Sequence, residues 1–253
     1  MQQNSRPVTL VTGGAGYIGS HVVRLLAARG ESVVVIDDLS SGYLDRIPDV
    51  PFVRLDLAAP DAVEQIADTL VGFGVTSVMH FAARKQVGES VALPTTYFDC
   101  NVGGLTNLLT AMESVGVAEL VFSSSAAVYG EPAAAMITED TPCAPVNPYG
   151  QSKLIGEWMT HNAAAAWGLR VANLRYFNVA GAGWSELADR LATNLVPIVV
   201  GAALDGTPVR VFGTDWNTPD GSCIRDYIHV LDLAEAHLAA LEHVRRGLSL
   251  IHI

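Results

Sequence analysis

The chain has 253 residues, of which half are hydrophobic and 16% are charged, and its formal net charge is −11. The composition is that of a globular protein with a filled core, and the negative charge argues against a nucleic-acid surface. An anionic substrate would need a local cluster of arginine and lysine. Three cysteines (Cys100, Cys143 and Cys223) show neither metal-ligand spacing nor an even disulfide framework. The start has no apolar signal core, and no apolar run reaches the ~18 residues of a membrane span. We therefore expect a soluble, cytoplasmic protein without a metal.

The first predicted element is a buried strand at residues 8–12, rich in β-branched residues. It leads into Gly13-Gly14-Ala15-Gly16-Tyr17-Ile18-Gly19 and then into an amphipathic helix through about Arg29. The glycines permit a tight turn, and the N-terminus of the helix presents N–H groups to phosphate oxygens. This order of elements predicts a site for the pyrophosphate of a dinucleotide.

A second buried strand at residues 32–36 ends at Asp37, which is 18 positions after Gly19 (37 − 19). A carboxylate at this distance is typical of a group that binds the adenosine ribose. It would accept a hydrogen bond from the 2′-hydroxyl but repel a 2′-phosphate, and the next arginine is Arg46. The pattern favours NAD over NADP. The alternative interpretation is a glycine turn followed by an aspartate that caps a helix.

Strands and helices continue to alternate along the chain. Strands are predicted at 52–55, 77–81, 120–122 and 171–174, and helices at 61–70, 97–115 and 149–167. Repeated units of this kind predict an α/β fold with a doubly wound parallel Rossmann sheet, whose ligands bind at the carboxyl ends of the strands. The residues at those ends are Gly13, Asp37, Asp56, Ala82, Ser125 and Tyr176.

The pattern changes after Asn178. We predict an NAD-binding Rossmann domain over residues 1–178 and a partial substrate-binding lobe over 179–253, with some segments returning to the first domain. The lobe is predicted to hold a helix at 187–200, a strand at 209–212, a polar loop at 215–222 and a helix at 231–245. Leu231, Ala234, Leu238 and Leu241 form one stripe on the last helix. We expect part of this stripe to be exposed and to promote association.

Tyr149 and Lys153 are four residues apart and therefore lie on one face of their predicted helix. A phenol titrates near ~10 in water, and a nearby ammonium favours the phenolate. The pair is expected to act as a base toward a sugar or alcohol hydroxyl, with the pKa of Tyr149 lowered by Lys153. Taken alone, the spacing is also common on solvated helix faces.

The chain resembles the extended short-chain dehydrogenase/reductases and, within them, the UDP-glucose (UDP-galactose) 4-epimerases. The resemblance covers residues 8–245, and several of its motifs are specific to sugar-nucleotide enzymes. The matching runs are TGGAGYIGSH (12–21), HFAA (80–83), VGES (87–90), FSSS (122–125), PYGQSK (148–153), LRYFN (174–178) and IRDYIHV (224–230).

The resemblance implies tightly bound NAD as the cofactor. The residues that would bind it are Gly13, Gly16, Tyr17, Ile18, Gly19, Asp37, Asp38, Leu39, Ser40, Ser41, Gly42, Asp56, Leu57, Phe81, Ala82, Ala83, Lys85, Asn101, Ser125, Tyr149, Lys153 and Phe177. Within this set, Tyr17 and Ile18 would lie against the pyrophosphate and Lys153 would hold the nicotinamide ribose.

The resemblance also implies a UDP-sugar substrate and a reaction through a transient 4-keto sugar. Tyr149 would take the proton of the 4-hydroxyl while C4 gives a hydride to NAD⁺, and Ser125 would orient that hydroxyl. The sugar would then turn over and receive the hydride on its other face. The substrate residues would be Lys85, Ser125, Tyr149, Asn178, Asn194, Phe212 and Arg225. A homodimer is expected, with neither a nucleic-acid nor a membrane partner.

Three alternatives remain beside this reading. A 4,6-dehydratase or a decarboxylase of the same fold would need acidic residues where Ala126 and Ala127 stand, which argues against both. A 4-epimerase of an N-acetylated or pentose UDP-sugar stays open, because a fold does not decide the substrate. A non-catalytic NAD-binding protein stays open too, although Ser125, Tyr149 and Lys153 count against it.

The C-terminal residues 248–253 do not resemble the family's continuation. They match a translation of the transposon end used in sequencing libraries. We therefore expect a truncated chain with an adapter-derived tail, and the alternative is a natural short variant that ends in a small apolar strand.

Overall fold

The computed structural model describes residues 7–132, 136–191 and 193–248. Residues 249–253, most of the predicted adapter tail, lie outside this range, so that hypothesis stays a prediction. The strands are β1 Val8–Thr12, β2 Ser32–Asp37, β3 Phe52–Arg54, β4 Ser77–His80, β5 Glu119–Ser123, β6 Arg170–Leu174, β7 Asn178–Ala180 and β8 Tyr227–His229. The α-helices are α1 Tyr17–Ala28, α2 Ala62–Phe73, α3 Val87–Ala92, α4 Pro94–Phe98, α5 Gly104–Val115, α6 Pro148–Trp167, α7 Leu195–Asp205 and α8 Val230–Arg245.

The first six strands form one parallel sheet in the order β3-β2-β1-β4-β5-β6. This order reverses direction between β1 and β4, and such a switch point opens a crevice at the carboxyl ends of the strands. The predicted doubly wound sheet is confirmed. The strands β7 and β8 pair separately and in parallel.

The sheet is buried on both faces because its strands alternate side chains between two apolar layers. Leu10 of β1 packs in one layer with residues of α2 and α5. Val11, the next residue, packs in the other layer with residues of α1 and α8. Helices therefore cover both faces, and the polar strand ends are left at the rim.

Helix α8 belongs to this core: of the four residues of the predicted stripe, Leu231 is partly exposed and the other three are buried, so most of the expected exposure is absent. Ala234, Leu238 and Leu241 are each at most 2% exposed and lie in the same layer as α1. At the surface, Arg29 at the end of α1 forms ion pairs with Glu235 and Glu242 of α8. The helix therefore packs on the Rossmann sheet, and the division at 178/179 stays a prediction.

The predicted helix over 97–115 is interrupted. It consists of α4, a π-helical turn at Asp99–Gly103 and α5. π-Turns of this kind often occur at functional sites, and here the turn carries the buried Asn101.

Two further predictions in the second segment were wrong. The helix predicted over 187–200 begins at Leu195 and runs to Asp205, after a 3₁₀ turn at Ser185–Leu187. Pro197 lacks an N–H group and is tolerated only in the first turn of a helix, so a helix starting at 187 is excluded. Residues 209–212 form no strand in the described part of the chain. None of the described helices is long and apolar enough to cross a membrane.

Candidate active site

The glycine turn lies between the end of β1 and the start of α1, as predicted. Gly13 has a φ of +71°, and a Cβ there would lie 2.6 Å from the backbone nitrogen of Ala82. A Cβ on Gly19 would lie 2.3 Å from the carbonyl oxygen of Gly13. The turn therefore fits closely between the ends of β1 and β4, and the first N–H groups of α1 have no partners within the helix.

Asp37, at the end of β2, is 6% exposed and connects this turn to the next loop. Its Oδ2 accepts a hydrogen bond from Ala15 N at 3.0 Å, and its Oδ1 accepts one from Leu39 N at 2.8 Å. Burial raises the pKa of the carboxyl, and the two N–H donors lower it. Each carboxylate oxygen keeps a further lone pair, so the group can still accept a ribose hydroxyl.

Asp56 and Leu57 follow β3 and differ in exposure. Asp56 is exposed, and its Oδ1 accepts from Ala58 N at 2.9 Å. Leu57 is buried in the core, and its carbonyl accepts from Asn107 Nδ2 at 2.8 Å. They lie beside the end of β2, whose Asp37 is predicted to bind the adenosine ribose.

The loop after β4 is held by Asn101. The side-chain amide of Asn101 accepts from Arg84 N at 2.8 Å and donates to Arg84 O at 3.0 Å. It also donates to Ser152 Oγ at 2.9 Å on α6. This clamp fixes the segment with Phe81, Ala82 and Ala83, and it leaves Lys85 exposed at the rim.

The helix α6 starts with Asn147 as N-cap, whose Oδ1 accepts from Gly150 N at 2.9 Å, and with Pro148 in its first turn. This start places Tyr149 at the rim, where the Ser125 side chain interacts with its phenol. Lys153, one turn later and 4% exposed, donates from Nζ to the Ser123 carbonyl at 2.8 Å.

The ionisation of the pair differs from the expectation. Burial raises the pKa of Tyr149, the hydrogen bond from Ser125 lowers it, and the first effect is the larger. Burial also lowers the pKa of Lys153 to about 8, against an opposing effect of Glu157. The predicted lowering of the Tyr149 pKa by Lys153 is therefore wrong for this structure, because desolvation dominates and the ammonium is directed at the Ser123 carbonyl.

The sequence reasoning missed a set of buried polar residues behind this pair. Ser123 Oγ and Tyr176 Oη are 2.5 Å apart, and Ser124 Oγ donates to Glu157 Oε1 at 2.5 Å. Three consecutive serines at a strand end, and a glutamate four positions after Lys153, were the available signals.

A second region, next to β7 and β8, contains several of the predicted substrate residues. A cleft of about 320 Å³ is lined by Asn178, Asn194 and Arg225, together with Cys223 and Tyr227. Phe212 is not among its lining residues and is 79% exposed, while Phe177 is 40% exposed. The structure thus brings together three of the predicted substrate residues and leaves Phe212 apart. Cys223 and Tyr227 were not predicted to line it.

Comparison with known proteins agrees with this geometry. The family model described as "NAD dependent epimerase/dehydratase family" matches residues 9–253. UDP-glucose 4-epimerase of Azospirillum brasilense is 48% identical over 251 residues, which cover 97% of this chain and 71% of the relative. UDP-glucose 4-epimerase of Halalkalibacterium halodurans is 46% identical, over 94% of this chain and 71% of its own length.

Solved structures give the same result. UDP-glucose 4-epimerase from Brucella ovis in complex with NAD has a TM-score of 0.90 at 42% identity, over 98% of this chain and 77% of that one. The enzyme from Bifidobacterium longum in complex with NAD⁺ and UDP has a TM-score of 0.85 at 36% identity, over 93% and 74%. The chain is a member of the NAD dependent epimerase/dehydratase family.

Proposed function

We propose that the chain acts as an NAD-dependent 4-epimerase that interconverts UDP-galactose and UDP-glucose through a transient 4-keto sugar. The observation that carries this proposal is the position of Ser125, Tyr149 and Lys153 at one rim. They lie at the carboxyl edge of the sheet, where the glycine turn also opens. The names of the relatives support the same activity.

The residues present fit NAD. Gly13 and Gly19 have no room for a side chain, so the turn packs closely at the N-terminus of α1, the kind of position where a pyrophosphate binds. The buried Asp37 retains acceptor capacity for ribose hydroxyls. NAD, when bound, would supply the reversible hydride acceptor for C4 of the sugar.

The protein's own contribution is to hold and move one proton. Tyr149 Oη accepts the proton of the sugar 4-hydroxyl and returns it after the keto sugar has turned over. Ser125, whose side chain interacts with the Tyr149 phenol, orients that hydroxyl. Lys153, one turn later on the same helix face, donates to the Ser123 carbonyl at 2.8 Å and is proposed to hold the nicotinamide ribose.

The cleft next to β7 and β8 is proposed to hold the UDP portion. Arg225 is exposed there, and its guanidinium can donate to diphosphate oxygens in an otherwise acidic protein. Asn178 and Asn194 line the same cleft. Ala127, two positions after Ser125, carries no hydroxyl, and the second candidate substrate is an N-acetylated or pentose UDP-sugar.

We also propose a homodimer in the cytoplasm. The pairing is supported by apolar side chains exposed on neighbouring helices, Val91 of α3 at 64% and Trp158 of α6 at 59%. The free cysteines suit a reducing compartment. Light scattering of the purified protein tests the dimer, and a monomeric mass would contradict it.

Tyr149→Phe tests the reaction. The ring still packs while the acid–base group is removed, so conversion of UDP-galactose should fall by ~10²–10⁴-fold with NAD retained. Tyr43→Phe, which removes a phenol outside the proposed machinery, serves as the control. A loss of less than about tenfold in Tyr149→Phe would mean that another group is the base. A wild-type protein that binds NAD without converting UDP-galactose would favour another UDP-sugar or a purely NAD-binding role.

A further inference from the structure

Three consecutive serines at the end of β5 contact three side chains of α6 that are spaced by four residues. The Ser125 side chain interacts with the Tyr149 phenol, and the Ser123 carbonyl accepts from Lys153 Nζ at 2.8 Å. The third contact, from Ser124 Oγ to Glu157 Oε1 at 2.5 Å, involves a residue with no role in the proposed proton transfer. Glu157 is therefore the third member of a stripe along α6.

Glu157 is 4% exposed, and its carboxylate accepts hydrogen bonds from Arg175 as well as from Ser124. Arg175 Nε donates to its two carboxylate oxygens at 2.9 and 3.1 Å, and Arg175 Nη2 donates to Oε2 at 2.5 Å. Arg175 is itself held by Tyr129 Oη, which lies 3.1 Å from Nη1. The two carboxylate oxygens of Glu157 thus accept four hydrogen bonds, one from Ser124 and three from Arg175.

We propose that Glu157 is a positioning residue for the proposed reaction: its buried negative charge, held by Ser124 and Arg175, keeps Lys153 protonated and directed at the active-site rim. The inference rests on the proposed function, since it assigns Lys153 its role there. It adds a residue that does not touch the substrate or NAD and acts through the lysine.

The electrostatics around Lys153 support this role. Burial lowers the pKa of Lys153 to about 8, and the Glu157 charge acts in the opposite direction. Burial, with a smaller contribution from the Lys153 ammonium, lowers the pKa of His80 to about 3, so that imidazole is neutral beside it. The titratable and charged groups around the pair are His80 on β4, Tyr129 after β5, Tyr149 on α6, and Arg175 and Tyr176 after β6.

A second ion pair of the same chemistry provides a matched control. Glu119 at the start of β5 accepts from Arg170 Nη2 at 2.6 Å and from Ser77 Oγ at 2.8 Å. Like Glu157, it is paired with one arginine and one serine, but it lies at the opposite end of β5 from Ser123. Removing the Glu119 carboxylate should lower the stability of the protein without changing the protonation of Lys153.

The test is the pH dependence of NAD affinity, measured by fluorescence titration of the full chain. If Lys153 holds the nicotinamide ribose, affinity should decrease as the ammonium deprotonates, and Lys153→Met should abolish this alkaline decrease. Glu157→Gln should move the pH at which NAD affinity starts to fall down by about one unit. At pH values above this point, NAD affinity should then be roughly tenfold lower than in the wild type. Glu119→Gln should leave that pH unchanged. If Glu157→Gln does not fold, Glu157→Gln with Arg175→Gln, which removes the pair together, carries the same expectation.

The outcomes separate the two proposals. An unchanged alkaline decrease in the folded Glu157 variants, or one that survives in Lys153→Met, would overturn this inference and leave the epimerase proposal standing. A wild-type chain that does not bind NAD would overturn the proposed function itself. A shift in Glu119→Gln as large as in Glu157→Gln would show a general loss of structure and would also overturn the positioning role.

Discussion

Two helices from the second segment, α7 and α8, are both rich in apolar residues but differ in how far they are buried. α8 has eight buried residues, among them Leu238 and Leu241, whereas α7 has none. In α7, Leu195, Val200 and Leu204 are between 52% and 82% exposed. The helix with the more apolar sequence is thus the one that the described chain does not cover.

The difference lies in patterning and not in apolar content. α8 carries charged residues on one face and an apolar stripe on the other, and the stripe fits against α1 and the sheet. α7, with the sequence LVPIVVGAALD, is apolar almost all round and defines no such stripe. The relatives that the chain matches are longer than the chain, which covers about 71% of their length.

The comparison predicts a large effect in α8. Leu238→Ala removes a side chain that is 2% exposed in the core, so the free energy of unfolding should fall by ~2–5 kcal/mol. Urea denaturation measures it. A loss below about 0.5 kcal/mol, the range of surface changes, would show that α8 is not packed on the sheet in solution.

Ligand binding should distinguish the cleft beside α7, which Arg225 lines, from the Rossmann sheet on which α8 packs. Arg225→Met removes the proposed diphosphate donor, and UDP affinity should fall by about 10–100-fold, the equivalent of ~1.5–3 kcal/mol. NAD affinity should stay unchanged, because the glycine turn and Asp37 lie at the ends of β1 and β2, whereas Arg225 lies beside β7 and β8. Calorimetric titration with each ligand tests this, and a parallel loss of NAD binding would contradict the separation.

Acid should lower the stability of the protein through two buried histidines of the Rossmann core, His80 and His237. Burial lowers the pKa of His80 to about 3 and that of His237 to about 4, so the folded chain binds fewer protons than the unfolded chain from there up to the ordinary value of 6.5. The stability contributed by these neutral imidazoles is present above 6.5 and is lost as pH falls below it, by ~1.4 kcal/mol per unit for each.

The measurement is the urea midpoint at about pH 7 and about pH 5 in wild type and in His237→Gln. The variant should lose less stability between the two values, whatever its stability at neutral pH. An identical decrease in both proteins would mean that His237 is protonated in the folded state.

The smallest effect is expected in α7. Leu204→Ala, at a side chain that is 82% exposed, should change the free energy of unfolding by no more than ~0.5 kcal/mol. It repeats the chemistry of Leu238→Ala on the other helix and is its matched control. A loss of ~2 kcal/mol or more would show that α7 is covered in solution, for instance by a second copy.

The sequence by itself determined the features that depend on local pattern. β-Branched runs, glycines after β1 and the acid at the end of β2 predicted the parallel sheet and its crevice, because strand period and turn chemistry are local properties. The four-residue spacing likewise placed Tyr149 and Lys153 on one helix face. These elements are confirmed with small changes at their ends.

The tertiary structure decided what depends on partners distant in the chain. Glu157 meets Ser124 from 33 positions away, and Asn101 meets Ser152 from 51. The docking of α8 on α1 likewise joins segments that are far apart in sequence. The pKa of Tyr149 is set by burial, which no spacing of residues reports. Desolvation and packing are sums over neighbours from several elements, so they become defined only once the chain has folded.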